Sequence, residues 1–182
     1  DFAVMMTERA RELGCTDTVF RNPSGLTDSE HVTTARDLAL IGTACFNDPA
    51  FMEIESSESY KMGPTEKYPG GLTVTAGHKM VKSGTKFSDA RVTGGKTGFI
   101  TASGNTLITF AEDGGRRLVA VVLKDKNPEH YEDTKLLLDF GFDNFENVEI
   151  EDPVTRYGAA ERLATDKIAE GADCHILAAG PA

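Results

Sequence analysis

Arg91-Val-Thr-Gly-Gly-Lys-Thr-Gly-Phe99, Asn105-Thr-Leu-Ile-Thr-Phe110 and Arg117-Leu-Val-Ala-Val-Val-Leu123 together decide how this chain folds. The second and third segments are rich in β-branched residues. Glu112-Asp-Gly-Gly-Arg116 joins them, so they predict a β-hairpin. The Gly-rich first segment reads as a strand able to pair on the hairpin's other side as a meander. Downstream, Pro128 opens a predicted helix from Glu129 to Phe140, with Tyr131, Leu136, Leu137, Leu138 and Phe140 apolar and Gly141 closing it. Upstream, Phe2, Met5, Met6, Ala10 and Leu13 fall at helical spacing, and Gly14 supplies a stop. Nothing before Phe2 reads as an N-cap, so the chain reads as beginning partway into an element.

Thr34 is the expected N-cap of a second, mostly apolar helix running through Leu38 and Phe46, with Asp37 reaching back as the other half of a capping box. Asn47-Asp-Pro49 ends it. Phe51 to Tyr60 reads as a short helical turn and then a strand, and Gly63 to Gly77 as loop. Helices, then an antiparallel sheet, then a helix packed on that sheet give an α+β architecture.

The chain has 182 residues, with 19 Lys plus Arg against 29 Asp plus Glu, a net charge of −10. A charge that negative argues against general attraction to nucleic acid or anionic membrane. The apolar run Leu118–Leu123 is far shorter than the ~20 residues a bilayer span needs. No secretion signal is legible from Asp1 onward. Cys15, Cys45 and Cys174 are too few and scattered for a disulfide framework or a zinc site, and Cys15 and Cys45 read as buried free thiols.

One segment contradicts the global charge. From His78 to Gly98 stand Lys79, Lys82, Lys86, Arg91 and Lys96 against a single acid, Asp89, a local charge of +4. Lys79, Lys82 and Lys86 read as a solvated basic face. Lys96 differs because it sits in Gly94-Gly-Lys-Thr-Gly98, where the backbone is open to close approach. A phosphate loop is excluded: position 90 is Ala where the first glycine is required, and a strand rather than a helix follows. An edge strand carrying Lys, a hydroxyl and Gly in succession instead suits a carboxylate on an extended peptide. The ammonium supplies charge, Thr97 a directed hydrogen bond, and Gly98 room for the ligand backbone.

Lys-Thr-Gly is one of three elements of the penicillin-recognising serine enzymes, beside S-x-x-K and S-x-N. The chain resembles the low-molecular-mass penicillin-binding proteins, the serine-type D-alanyl-D-alanine carboxypeptidases, at several separated places. Phe20-Arg-Asn-Pro-Ser-Gly-Leu26 is similar to that family's F-x-N-P-x-G-L loop, and Thr33-Thr-Ala-Arg-Asp-Leu-Ala39 to its S/T-T/S-A-R-D-x-A helix start. Gly94–Phe99 with Ser103-Gly-Asn-Thr-Leu107 resembles the Lys-Thr-Gly strand, its turn and the next strand. Arg116–Leu123 and Lys135-Leu-Leu-Leu-Asp-Phe-Gly-Phe142 resemble the last strand and the C-terminal helix.

The resemblance implies a penicillin-recognising fold and acyl transfer through a serine, with no metal or organic cofactor. Lys96 would draw the substrate carboxylate, Thr97 would hydrogen-bond it, and Gly98 would let the substrate strand dock. The backbone N–H of Phe99 would be one of two oxyanion donors. His130 stands where some members carry an arginine that holds the substrate carboxylate, and is expected to serve weakly or to be a surface histidine. Ile100 stands where the family often has Thr. S-x-x-K and S-x-N are expected upstream of Phe2. Ser83-Gly-Thr-Lys86 and Ser103-Gly-Asn105 match their spelling but not their order.

Residues 1–145 thus read as the C-terminal part of a carboxypeptidase catalytic domain. Residues 146–182 read as an acidic linker and tail of unknown role, with an amphipathic helix over 159–169. The implied ligands are peptidoglycan stem peptides ending in D-Ala-D-Ala and β-lactam antibiotics, outside the cytoplasmic membrane. A missing N-terminal segment would carry the nucleophile, and the isolated chain would be inactive without it. The competing readings are a non-catalytic peptide- or partner-binding module on the same fold, and a class A β-lactamase.

Overall fold

Along the third of those segments, alternate side chains face opposite ways, and that alternation builds the domain. In the computed structural model, which describes residues 1–147 and 173–178, the elements run α1 (Phe2–Glu12), α2 (Ala35–Phe46), α3 (Pro49–Glu55), β1 (Ser59–Met62), β2 (Leu72–Thr75), β3 (Val92–Ile100), β4 (Gly104–Asp113), β5 (Arg116–Asp125), α4 (Glu129–Asn144) and β6 (Asp173–Ala178). The main sheet is antiparallel in the order β3-β4-β5-β6, and β1 pairs with β2 as a separate ribbon. Leu118, Ala120 and Val122 of β5 pack with Leu107 and Ala111 of β4 against Tyr131, Leu138 and Phe142 of α4. Val119 and Val121 pack with Phe110 against Ala35, Ala39 and Phe46 of α2. Period two in the strands therefore makes two cores, one on each face of the sheet. Gly114 and Gly115 join β4 to β5 with φ of +56° and +76°. Positive φ at both central residues is what a two-residue hairpin with the sheet's own twist requires.

The helices α2 and α4 each set a glycine tightly against the sheet. A Cβ on Gly42 would lie 2.5 Å from Ile108 Cδ1, and one on Gly141 2.6 Å from Leu118 Cδ1. Gly141 does not close α4 as expected. The helix runs on to Asn144, because this glycine serves packing rather than termination. Leu136, expected on the apolar face, is 56% exposed.

Other local expectations also change. Asp1 caps α1, its carboxylate accepting from Ala3 N–H. Thr34 caps α2 by accepting from Asp37 N–H at 3.1 Å, but the Asp37 carboxylate does not reach back. It is fully buried and accepts from Asp17 N–H at 2.8 Å, Thr18 Oγ1 at 2.7 Å and Thr16 N–H at 3.4 Å. The donors of the Cys15–Thr18 turn, meeting a fully buried carboxylate, outcompete the helix's own first turn. The stretch from Gly63 to Gly77, read as loop, contains β2. Within 146–182, residues Asp173–Ala178 form β6 along β5, in register from Leu123↔Asp173 to Leu118↔Ala178. The expected helix over 159–169 lies outside the described residues. Cys15 is buried and Cys45 half-buried, both free, and burial pushes both thiols up. No helix among the described residues is long and apolar enough to cross a membrane.

Arg91 leaves the basic cluster. It donates to Asp89 through Nε at 3.0 Å and Nη2 at 2.7 Å, and to Asp139 of α4 at 2.5 Å. These bonds tie the entry of β3 to α4. The hydrogen bond from Arg91 holds the Asp89 carboxyl below the usual carboxylate range, against desolvation by burial. A depressed carboxyl stabilises the fold above its unfolded pKa, and that contribution is lost as pH falls through the folded value. Arg91→Met is accordingly expected to cost about 2 kcal/mol at pH 7. Urea titrations should show this difference shrinking below about pH 4. A gap that stays constant down to pH 2.5 would refute the assignment.

Candidate functional site

Lys96, Thr97 and Gly98 lie in the middle of β3, an edge strand whose neighbour on one side is β4 (Lys96↔Ile108, Thr97↔Leu107, Gly98↔Thr106). No strand among the described residues pairs with its other side. An unpaired row of backbone donors and acceptors is a template for an extended ligand. Two clefts flank this edge and share Thr97. The first, of about 270 Å³, lies between β3 and the β1–β2 ribbon and is lined by Lys96, Thr97, Gly95, His78, Tyr60 and Glu55. The second, of about 250 Å³, lies toward α4 and is lined by Thr97, Gly98, Phe99, Lys79, His130 and Tyr131. The Thr97 hydroxyl lies near Gly77, which lines the first cleft.

The Lys96 side chain is exposed, and its Nζ donates to Thr97 O at 2.6 Å. The ammonium is thus folded over its own strand. Gly98 has a reason within the chain itself: a Cβ there would meet Thr106 Oγ1 across the ladder at 2.5 Å. Gly95, with φ +144°, would place a Cβ 2.9 Å from His78 Cδ2 and into Ile108 O. The Phe99 side chain is 68% exposed.

His130 is not a surface histidine. It is 4% exposed at the start of α4, and its Nδ1 donates to Lys126 O at 2.9 Å. That bond aims the rest of the ring toward the second cleft, beside Thr97 and Gly98. Sequence reasoning left Lys79 among solvated lysines, yet the fold sets it in the same cleft, its Nζ 5.7 Å from the Tyr131 ring centroid and 5.8 Å from that of Phe87. Lys79 stays exposed, and the +4 segment does not say which of its lysines borders the cleft. Lys82 bonds Thr75 Oγ1 at 3.2 Å instead, and Lys86 lies over Phe87.

The two decoy serines are tied down elsewhere. Ser83 lies in a turn, with N–H and hydroxyl each donating to Glu58 at 3.1 Å. Ser103 donates to Gly104 O at 3.1 Å in the β3–β4 turn. Neither opens a helix, and neither has a lysine amine as hydrogen-bond partner. No group of three or more His, Cys, Asp or Glu among the described residues is arranged to hold a metal ion.

This fold recurs in known proteins. A family profile described as D-alanyl-D-alanine carboxypeptidase, peptidase S11, matches residues 1–127. The chain belongs to that family. It is 30% identical over 149 residues to the D-alanyl-D-alanine carboxypeptidase DacC of Escherichia coli, covering 81% of this chain and 34% of DacC. It is 31% identical over 143 residues to DacB2 of Mycobacterium tuberculosis, covering 75% and 46%. Among solved structures it is similar to a D-alanyl-D-alanine carboxypeptidase of M. tuberculosis, at TM-score 0.69 and 27% identity, covering 81% of this chain and 55% of that one. Penicillin-binding protein D2 of Listeria monocytogenes, solved in its cefotaxime-bound form, aligns at TM-score 0.65 and 29% identity, covering 78% and 55%. The chain therefore spans between a third and somewhat over half of the relatives it matches. Family membership bears out the α+β penicillin-recognising fold expected from the sequence.

Proposed function

We propose that this chain supplies the Lys-Thr-Gly half of a serine D-Ala-D-Ala carboxypeptidase site, and that residues 1–145 are the C-terminal part of its catalytic domain. The observation that supports the reading is Lys96-Thr97-Gly98 on an open edge strand, between two clefts that both reach Thr97. A stem peptide ending in D-Ala-D-Ala would lie along β3, its terminal carboxylate drawn by Lys96 and hydrogen-bonded by Thr97. His130, which lines the second cleft beside Thr97, would contribute weakly to that carboxylate. The serine oxygen would attack the carbonyl carbon of the penultimate D-alanine, with the Phe99 N–H as one of two donors to the developing oxyanion. The serine proton would pass through a nearby lysine to the departing amine of the last D-alanine. Water would then hydrolyse the ester, releasing the shortened peptide and restoring the serine. A β-lactam would enter the same site and stop at the acyl-enzyme.

The serine and its lysine would come from a further segment that completes the site. An apolar groove of about 470 Å³ beside α1, where Phe2 and Met5 are each 61% exposed, supports such a covering segment. The site of action would be outside the cytoplasmic membrane, where stem peptides are. The test is covalent labelling of the full gene product by a fluorescent penicillin. Labelling abolished by Ser→Ala at an S-x-x-K motif is expected. A full product that takes no label is not this enzyme, and the reading as a non-catalytic binding module would replace it.

A further inference from the structure

His78 is a buried histidine at the hinge of the site that the proposed chemistry leaves unused. It is 2% exposed and sits between the β1–β2 ribbon and β3. Its Nδ1 accepts from Met80 N–H at 3.2 Å, and its Nε2 lies 2.8 Å from Thr109 Oγ1. Because Nδ1 accepts, the ring proton is on Nε2, which donates to Thr109. A second ring proton would point at the Met80 N–H, so geometry disfavours the imidazolium. Burial, and then the nearby His130, lower its pKa to about 4. The titratable groups lining the clefts beside the ring are Lys79 on its own segment, Tyr60 on β1, Lys96 on β3, Glu55 at the end of α3, and His130 and Tyr131 on α4. From β4 it meets only a hydroxyl.

Thr109 pairs directly with Gly95 in the β3–β4 ladder, one residue before Lys96. The His78 ring also covers the face of Gly95, its Cδ2 occupying the room a side chain there would need. Gly77, just before it, comes close enough that a Cβ would lie 3.1 Å from Thr97 Oγ1. One imidazole thus braces the segment over Lys96 and Thr97 to the centre of the sheet.

Building on the carboxypeptidase reading, we propose that His78 is a positioning residue. It holds the Lys96–Thr97 stretch of β3 in place against β4 and the 77–80 segment as a neutral Nε2–H imidazole, and takes no proton in the reaction. Misplacing reacting partners by about an ångström costs on the order of a hundredfold in rate.

The test has two arms. In the present chain, two-bond proton–nitrogen correlation spectra should show His78 as the Nε2–H tautomer at pH 7 and still neutral at pH 5. An Nδ1–H tautomer, or an imidazolium at pH 5, would overturn the proposal. In the full gene product, His78→Phe keeps the ring and loses both hydrogen bonds. It should lower the rate of penicillin acylation by about ten- to a hundredfold without changing the shape of the pH profile. Thr109→Val removes the acceptor alone and should act in the same direction; it also serves if His78→Phe does not fold. His78→Gln, which keeps a donor near the Nε2 position, should recover most of the rate. Wild-type acylation in the Phe and Val variants sinks the brace while the carboxypeptidase reading survives. An altered pH profile sinks it too, since His78 would then be carrying a proton. A full gene product that takes no penicillin label at all would remove the underlying reading itself.

Discussion

Lys96→Ala in the full gene product is expected to cut the rate of penicillin acylation by about a hundredfold or more, the scale of deleting one preorganised electrostatic partner from an acyl-transfer site. Lys96 carries no core packing. Its side chain is exposed and its one hydrogen bond is to the neighbouring carbonyl. The fold should therefore be untouched, and thermal unfolding should superimpose on that of the parent. What is lost is a cation on an open strand edge, between the ribbon and β4, in a chain whose net charge is −10. Without it, the field around the cleft no longer favours an incoming carboxylate. Lys96→Arg should not restore the rate fully. A planar guanidinium fork does not reproduce a compact ammonium beside Thr97. Stopped-flow or gel-based acylation decides the matter, and near-normal acylation in Lys96→Ala would remove this residue from the site.

The largest effect on stability is expected at Asp37. Its fully buried carboxylate satisfies two backbone N–H groups and the Thr18 hydroxyl, and Thr18 in turn meets Thr33 at 2.9 Å. One side chain thus pins the Cys15–Thr18 turn and the approach to α2 onto the helix start. Asp37→Ala removes the shared acceptor of those three donors from a fully buried position, at a cost of about 3 kcal/mol. For a chain of this size that corresponds to a fall in melting temperature of about 10 °C. Asp37→Asn keeps one accepting oxygen and should lose less. A circular-dichroism melt in which Asp37→Ala falls by only a degree or two would show that the network is dispensable.

Asp37 also shows where sequence reading stops. Its spacing from Thr34 spelled a capping box, and the cap from Thr34 did form. The other half did not, because a turn some 20 residues earlier in sequence offered donors that only folding brings near. Gly141 misled in the same manner. As a letter it reads as a helix stop, and in the fold it is the point where α4 touches Leu118. His130 read as a surface residue because helix starts are commonly exposed, yet it lies buried beside Thr97.

The sequence by itself determined the meander, the helix before it and the helix after it, and the Lys-Thr-Gly strand. Those features follow from local periodicity, turn residues and one short motif, all of which act between near neighbours in the chain. Only the tertiary structure decided that Lys79 borders the cleft beside Thr97 while Lys82 bonds Thr75. It also decided that His78 is locked beneath Gly95. These depend on which segments, distant in sequence, are brought into contact. Burial and hydrogen-bond satisfaction settle such contacts, and a reading along one chain carries no term for either.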